Sequence, residues 1–149
     1  MNQTLVEVFI GNRDDGSPVF EKLWVDGLDD GSYRLVRTPK LALGLAREDT
    51  FRVDELGNIH DVRSGGYFAF QVVLEGVFTK QSLDELVRLP ESYGGSFDVH
   101  DDQVAGLAVP ATANVDGFLE ELVRYLQRYP GVYWNSGDAT PDVRTAQDR

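Results

Sequence analysis

With 149 residues and 42% hydrophobic content the chain can build a packed interior, so wholesale disorder is excluded. Fourteen Lys and Arg against 25 Asp and Glu leave a net charge of −11, a field that repels phosphate backbones and anionic lipid surfaces. The absence of cysteine removes disulfides, thiolate catalysis and cysteine-ligated zinc together.

The first residues, MNQTLVEVFIGNRDDG, carry no basic n-region, and their apolar part is too short for a signal peptide. No apolar run approaches the ~18 residues of a membrane span. Cytoplasmic residence is the expectation, with no membrane and no nucleic acid as partner.

Leu5 to Ile10 is a strand by its β-branched and aromatic content. Asn12 to Pro18 is a turn cluster. Val19 to Val36 predicts a β-hairpin around Gly27-Leu28-Asp29-Asp30-Gly31, with Phe20, Lys22 and Trp24 on one parity and Glu21, Leu23 and Val25 on the other. Trp24 is expected to seed a small core. Thr38-Pro39 ends the hairpin. Residues 41–46 read as a short extended or one-turn connector, and Arg47-Glu48-Asp49 as a polar turn.

A second hairpin runs from Thr50 to Arg63, turning at Gly57-Asn58. Tyr67 to Leu74 is the longest strand candidate. Ser82 and Glu85 form a capping-box pattern that opens a helix over Leu83, Leu86 and Val87, ending near Leu89-Pro90. Strands follow at 96–100 and 104–109. Asn114 then caps the clearest helix, with Val115, Phe118, Leu119, Leu122, Val123 and Leu126 on one stripe. Val132-Tyr133-Trp134 is a last short strand, and the polar end beyond it is expected to fray.

These elements predict an α+β fold. Residues 1–66 form a small, curved, SH3-like β-barrel. Residues 67–137 form a ferredoxin-like split β-α-β-β-α-β part, and 138–149 a polar tail. The strand at 67–74 is expected to belong to both parts and to join them into one compact unit.

Phe20-Glu21-Lys22-Leu23-Trp24, Tyr33-Arg34-Leu35, Pro39, the Gly44-to-Asp49 segment, Ser64-Gly65, and Val109-Pro110 before the helix at 115–126 follow one another in this order. On these pieces the chain, over roughly residues 18–135, resembles a family of small bacterial proteins known as a domain of unknown function. The resemblance implies a fold and assigns no activity.

Several constellations compete for a role. Glu21 and Trp24 could line a groove. The plainer reading puts Trp24 in the core and leaves Glu21 solvated or paired with Arg34 across the hairpin. Asp14-Asp15, Asp26 with Asp29 and Asp30, and Asp98 with Asp101 and Asp102 lack the ligand spacing of a calcium loop, and turn chemistry explains them better. His60 and His100 could share a metal only if folding brought them together. Ser64-Gly65-Gly66 lacks the lysine of a phosphate loop. Tyr129, Tyr133 and Trp134 mark either an interface or the packing of the last strand.

No nucleophile or acid–base pair stands out, so no catalytic residue, cofactor or metal is assigned. The expectation is a non-catalytic, acidic protein-binding module, of the kind an immunity protein uses against a bacterial toxin, with a basic protein as partner. Its candidate contacts are Asp26, Asp29, Asp30, Asp98, Asp101, Asp102, Tyr133 and Trp134. The alternative is a small-molecule sensor with a ligand held between barrel and split sheet.

Overall fold

The computed structural model describes residues 3–42 and 44–136. Nine strands and two helices run in the order β1 (Gln3–Asn12), β2 (Pro18–Gly27), β3 (Tyr33–Leu35), β4 (Thr50–Val53), β5 (Ile59–Arg63), β6 (Tyr67–Leu74), α1 (Lys80–Glu91), β7 (Ser96–His100), β8 (Val104–Pro110), α2 (Val115–Arg128) and β9 (Val132–Ser136). The fold is α+β. The polar tail expected at 138–149 lies outside the described residues.

The first sheet is an antiparallel meander ordered β1-β2-β3-β4-β5. It curls until the N–H of Phe9 donates to the carbonyl of Gly57 at 2.8 Å, so the β4–β5 turn touches the free edge of β1. Among the described residues no ladder joins β1 to β5, and the expected barrel is not closed. Val8, Leu23, Val25, Leu35, Ala42, Leu45 and Phe51 fill the concave side.

The second sheet is also antiparallel, ordered β7-β8-β6-β9. One face packs on both helices through Phe70, Val72, Leu86, Leu107, Val109, Phe118, Leu122 and Tyr125. Within the described residues β6 ladders to β8 and β9 alone, so it is not the shared strand that the sequence predicts.

The joint is instead a strap between β3 and β4, residues 37–42 and 44–49. Gln71 on β6 donates its side-chain N–H to the carbonyls of Pro39 (3.3 Å) and Ala42 (3.1 Å). Gly106 on β8 lets the strap lie close, because a Cβ there would stand 2.7 Å from the Pro39 carbonyl oxygen. Small residues on this face of the second sheet, Ala69 and Ala108, are fully buried.

Two helix details differ from the sequence reading. The capping box of α1 is Thr79 with Ser82, three residues earlier than Ser82 with Glu85. Threonine can cap by the same hydroxyl chemistry, and its start lets the helix gain a turn. Pro90 lies inside the last turn of α1. For α2 the Asn114 side chain accepts from Gly117 N–H, the N-cap expected.

Candidate functional site

Strand parity decides what β2 offers. Val25 pairs with Leu35 on the concave side, so Leu23 and Val25 are buried and Glu21 shares their face. Phe20, Lys22 and Trp24 share the convex face. Trp24 is 42% exposed and Phe20 43%, so the indole is not a core seed. Residue order alone does not choose the face, since Lys22 stands on one parity and Glu21 on the other.

Glu21 is not solvated, and the residue opposite Arg34 is Asp26. Its carboxylate accepts the backbone N–H groups of Lys40 (2.9 Å), Leu41 (3.1 Å) and Ala42 (2.8 Å). Two further carboxylates fasten the same strap. Asp49 accepts from Ala46 N–H (2.9 Å) and Gly65 N–H (2.8 Å). Asp98 accepts from Thr38 N–H (2.8 Å), from the Ser96 hydroxyl (2.5 Å) and from Arg47 (3.2 Å).

Four of the residues that carry the resemblance therefore meet in pairs. Glu21 reaches the turn after Pro39, and Asp49 reaches Gly65, where a Cβ would stand 2.2 Å from the Glu48 carbonyl oxygen. Their chemistry is backbone capping in a part-buried setting, which fixes the strap and joins the sheets. Where the sensor alternative expects a ligand between the sheets, Pro39 and Ala42 of the strap lie against Gln71 and Gly106 of the second sheet.

The convex face of β1 and β2 is the other notable surface. Cross-strand pairs Leu5–Trp24, Glu7–Lys22 and Phe9–Phe20 stack along it. Phe9 and Phe20 meet edge to face at 5.8 Å. Leu56, 75% exposed on the β4–β5 turn, lines a groove of about 590 Å³ with Phe20, Glu7, Asp54 and Glu55. Leu5, Phe9, Phe20 and Leu56 escape sequence reasoning, because membership of this face depends on the register of β1 and the curl of the sheet.

The acidic candidates divide into two separated groups. Asp26, Asp29 and Asp30 sit at the end of β2 and in its turn. Asp30 accepts from the backbone and hydroxyl of Ser32, bonds that hold its carboxyl below the usual value, and pairs with Arg52 at 3.4 Å. Asp101 and Asp102 lie in the β7–β8 turn of the other sheet. Burial pushes Asp101 up, but the N–H groups of Gln103 and Val104 and the ammonium of Lys40 outweigh it, and its net shift is downward.

Asp98 leaves the list of surface candidates: its side chain is 3% exposed and spent on the strap. The C-terminal aromatics divide as well. Trp134 packs half-buried against Phe70 at 5.8 Å, and Tyr129 against Tyr125 at 5.0 Å. Tyr133 stays 55% exposed and donates its hydroxyl to Glu75 at 2.9 Å.

His60 on β5 and His100 on β7 stand in different sheets, His60 beside Asp61 and His100 against Phe97. Among the described residues no three His, Asp or Glu side chains gather as metal ligands would. No helix among them is long and apolar enough to cross a membrane.

Comparison with solved structures finds the crystal structure of a hypothetical protein from Neisseria gonorrhoeae. It is similar over 93% of this chain and 96% of that one, with a TM-score of 0.67 and 15% identity, a likeness of fold alone. No curated protein matches the chain. A family model, the domain of unknown function DUF4265, matches residues 21–130, which span the strap, all three of its carboxylates and both helices. The chain belongs to the DUF4265 family.

Proposed function

We propose that the chain is a non-catalytic, acidic protein-binding module, of the kind an immunity protein uses to neutralise a bacterial toxin. It engages its partner through the convex face of β1 and β2. The observation that carries this reading is the row of exposed apolar side chains, Leu5, Phe20 and Trp24, beside Leu56. Aromatic anchors on a rigid strand ribbon supply contact area at small entropic cost.

Glu7, Asp26, Asp54 and Glu55 rim the anchors, and a net charge of −11 steers a basic partner toward them. Behind the ribbon the strap joins the second sheet to the first and keeps the face from flexing. We read the two halves as an opened SH3-like meander and a ferredoxin-like split unit. The strand order β7-β8-β6-β9, with both helices on one face, supports the second part of that reading.

The test is co-purification of the chain with the product of the gene next to its own, wild type against Phe20→Ala/Trp24→Ala. A basic partner that is retained by the wild type, lost by the double variant and released by salt is the expected outcome. Retention by both proteins alike would remove the face from the proposal. A neighbouring product that binds neither would remove the immunity reading.

A further inference from the structure

On the side of the molecule away from the strap, α1 and α2 enclose a groove of about 340 Å³ lined by Glu85, Arg88, Leu89, Glu121, Arg124 and Arg128, with Tyr125 at its wall. Glu85 meets Arg128, the last residue of α2, at 3.5 Å, while Tyr93, just past the end of α1, lies near Glu121, midway along α2. The two helices therefore run antiparallel, and Arg88 and Arg124 fall between these two contacts.

One of the two carboxylates in the lining is committed to an ion pair. Glu85 holds Arg128 and accepts from the Tyr129 hydroxyl, whose pKa that bond raises. Glu121 lies near the Tyr93 hydroxyl and keeps its negative charge, but the three arginines of the lining outnumber the two glutamates. Asp84, one turn before Arg88, is paired with Lys80 at 3.8 Å. Among the described residues Arg88 and Arg124 pair with no carboxylate.

The helix dipole accounts for Arg88 and Arg128, which stand in the last turns of their helices. It does not account for Arg124, nor for three exposed arginines lining one groove in a chain of such negative charge. Tyr125 spends its hydroxyl on the Ser82 carbonyl at 3.0 Å, and Leu89 is apolar, so these walls are electrically neutral.

We propose that this groove is a binding site for the phosphate group of a small phosphate monoester. Planar guanidinium forks match phosphate oxygens in pairs, and two unpaired forks beside a third place donors on several sides of one tetrahedral anion. The groove is larger than a phosphate alone and leaves room for a small organic body against Leu89. The site is independent of the convex face of β1 and β2, and either reading can fail without the other.

The experiment titrates the isotopically labelled full chain with ribose 5-phosphate, inorganic phosphate, ribose and sodium chloride at constant ionic strength, following amide resonances. Saturable shifts confined to residues 85–93 and 121–129, given by ribose 5-phosphate and not by ribose, are expected. Arg88→Gln/Arg124→Gln should weaken binding at least about tenfold while its circular dichroism and Tm stay those of the wild type.

Shifts that phosphate and chloride produce alike, spread over the surface without saturation, would overturn the proposal. So would undiminished binding by the double variant. If the double variant fails to fold, Arg124→Lys decides instead: it keeps the charge and loses the fork, and unchanged affinity would overturn the proposal.

Discussion

Arg47 Nη1 stands 3.2 Å from Asp98 Oδ1, and with that contact the strap leaving the first sheet is tied to the second. The guanidinium also donates to Ser96 and lies 5.6 Å over the ring of Tyr67, so one side chain from the strap touches both β6 and β7. A carboxylate as shielded as that of Asp98 is stabilising only while its donors are in place.

Asp98→Ala removes an acceptor shared by Thr38, Ser96 and Arg47. Loss of a shielded, multiply bonded carboxylate should cost about 3 kcal/mol. Urea denaturation checks this through a lower midpoint at unchanged slope. A change below about 0.5 kcal/mol would show that the strap does not depend on Asp98.

Glu21→Ala leaves three consecutive strap N–H groups without their acceptor. The expected loss is about 2 kcal/mol, less than three separate bonds would suggest, because water reaches the half-exposed Leu41 end. Amide exchange should speed up at Lys40, Leu41 and Ala42 before it does in the β1–β2 ladder. Uniform acceleration across both sheets would contradict a local capping role.

Trp24→Ala should change stability by less than about 1 kcal/mol, since the indole is on the convex face. The same exposure predicts two classes of tryptophan fluorescence. Trp24 is open to a neutral collisional quencher, and Trp134 is shielded against Phe70. Acrylamide titration of the Trp24→Ala variant should leave only the weakly quenched component.

Tyr125 has its hydroxyl pushed up to about 12, burial being the main cause. A folded value above the unfolded one means that folding favours the neutral phenol. That contribution is present in full below the ordinary tyrosine value of about 10 and is lost as pH rises through about 12. Spectrophotometric titration should show one of the six tyrosines ionising only with alkaline unfolding. Tyr125→Phe, which removes the phenol's bond to the Ser82 carbonyl, should remove that step and cost about 1 kcal/mol near neutrality.

At the acid end the sign reverses. Asp15, Asp30 and Asp54 are held below the usual aspartate value, Asp15 and Asp30 by their bonds to Ser17 and Ser32, and Asp54 chiefly by the N–H of Asn58. Their contribution is present above the ordinary value near 4 and is lost as pH falls through their folded values. Thermal unfolding followed from neutral pH into this range should give a falling Tm. The slope should be shallower in Asp54→Asn, and an equal slope would remove Asp54 from the account.

Two hairpins, both helices, the strand at 67–74 and the β-α-β-β-α-β series were legible from residue order. Alternation, capping side chains and turn residues act over a few positions, and the sequence displays them directly. The α+β class followed from those elements, and the resemblance to a family known as a domain of unknown function was legible as well.

What residue order could not determine is which face of β2 is buried and what fastens the two sheets. Glu21 looks like a solvated strand residue until the Pro39 turn is folded against it, and Asp98 looks like a surface acid until Arg47 arrives from 51 positions away. Trp24 was misplaced by its size, because area favours burial in general while register alone assigns a side chain to the concave or convex side. These assignments depend on contacts between residues remote in sequence, and only the tertiary structure supplies them.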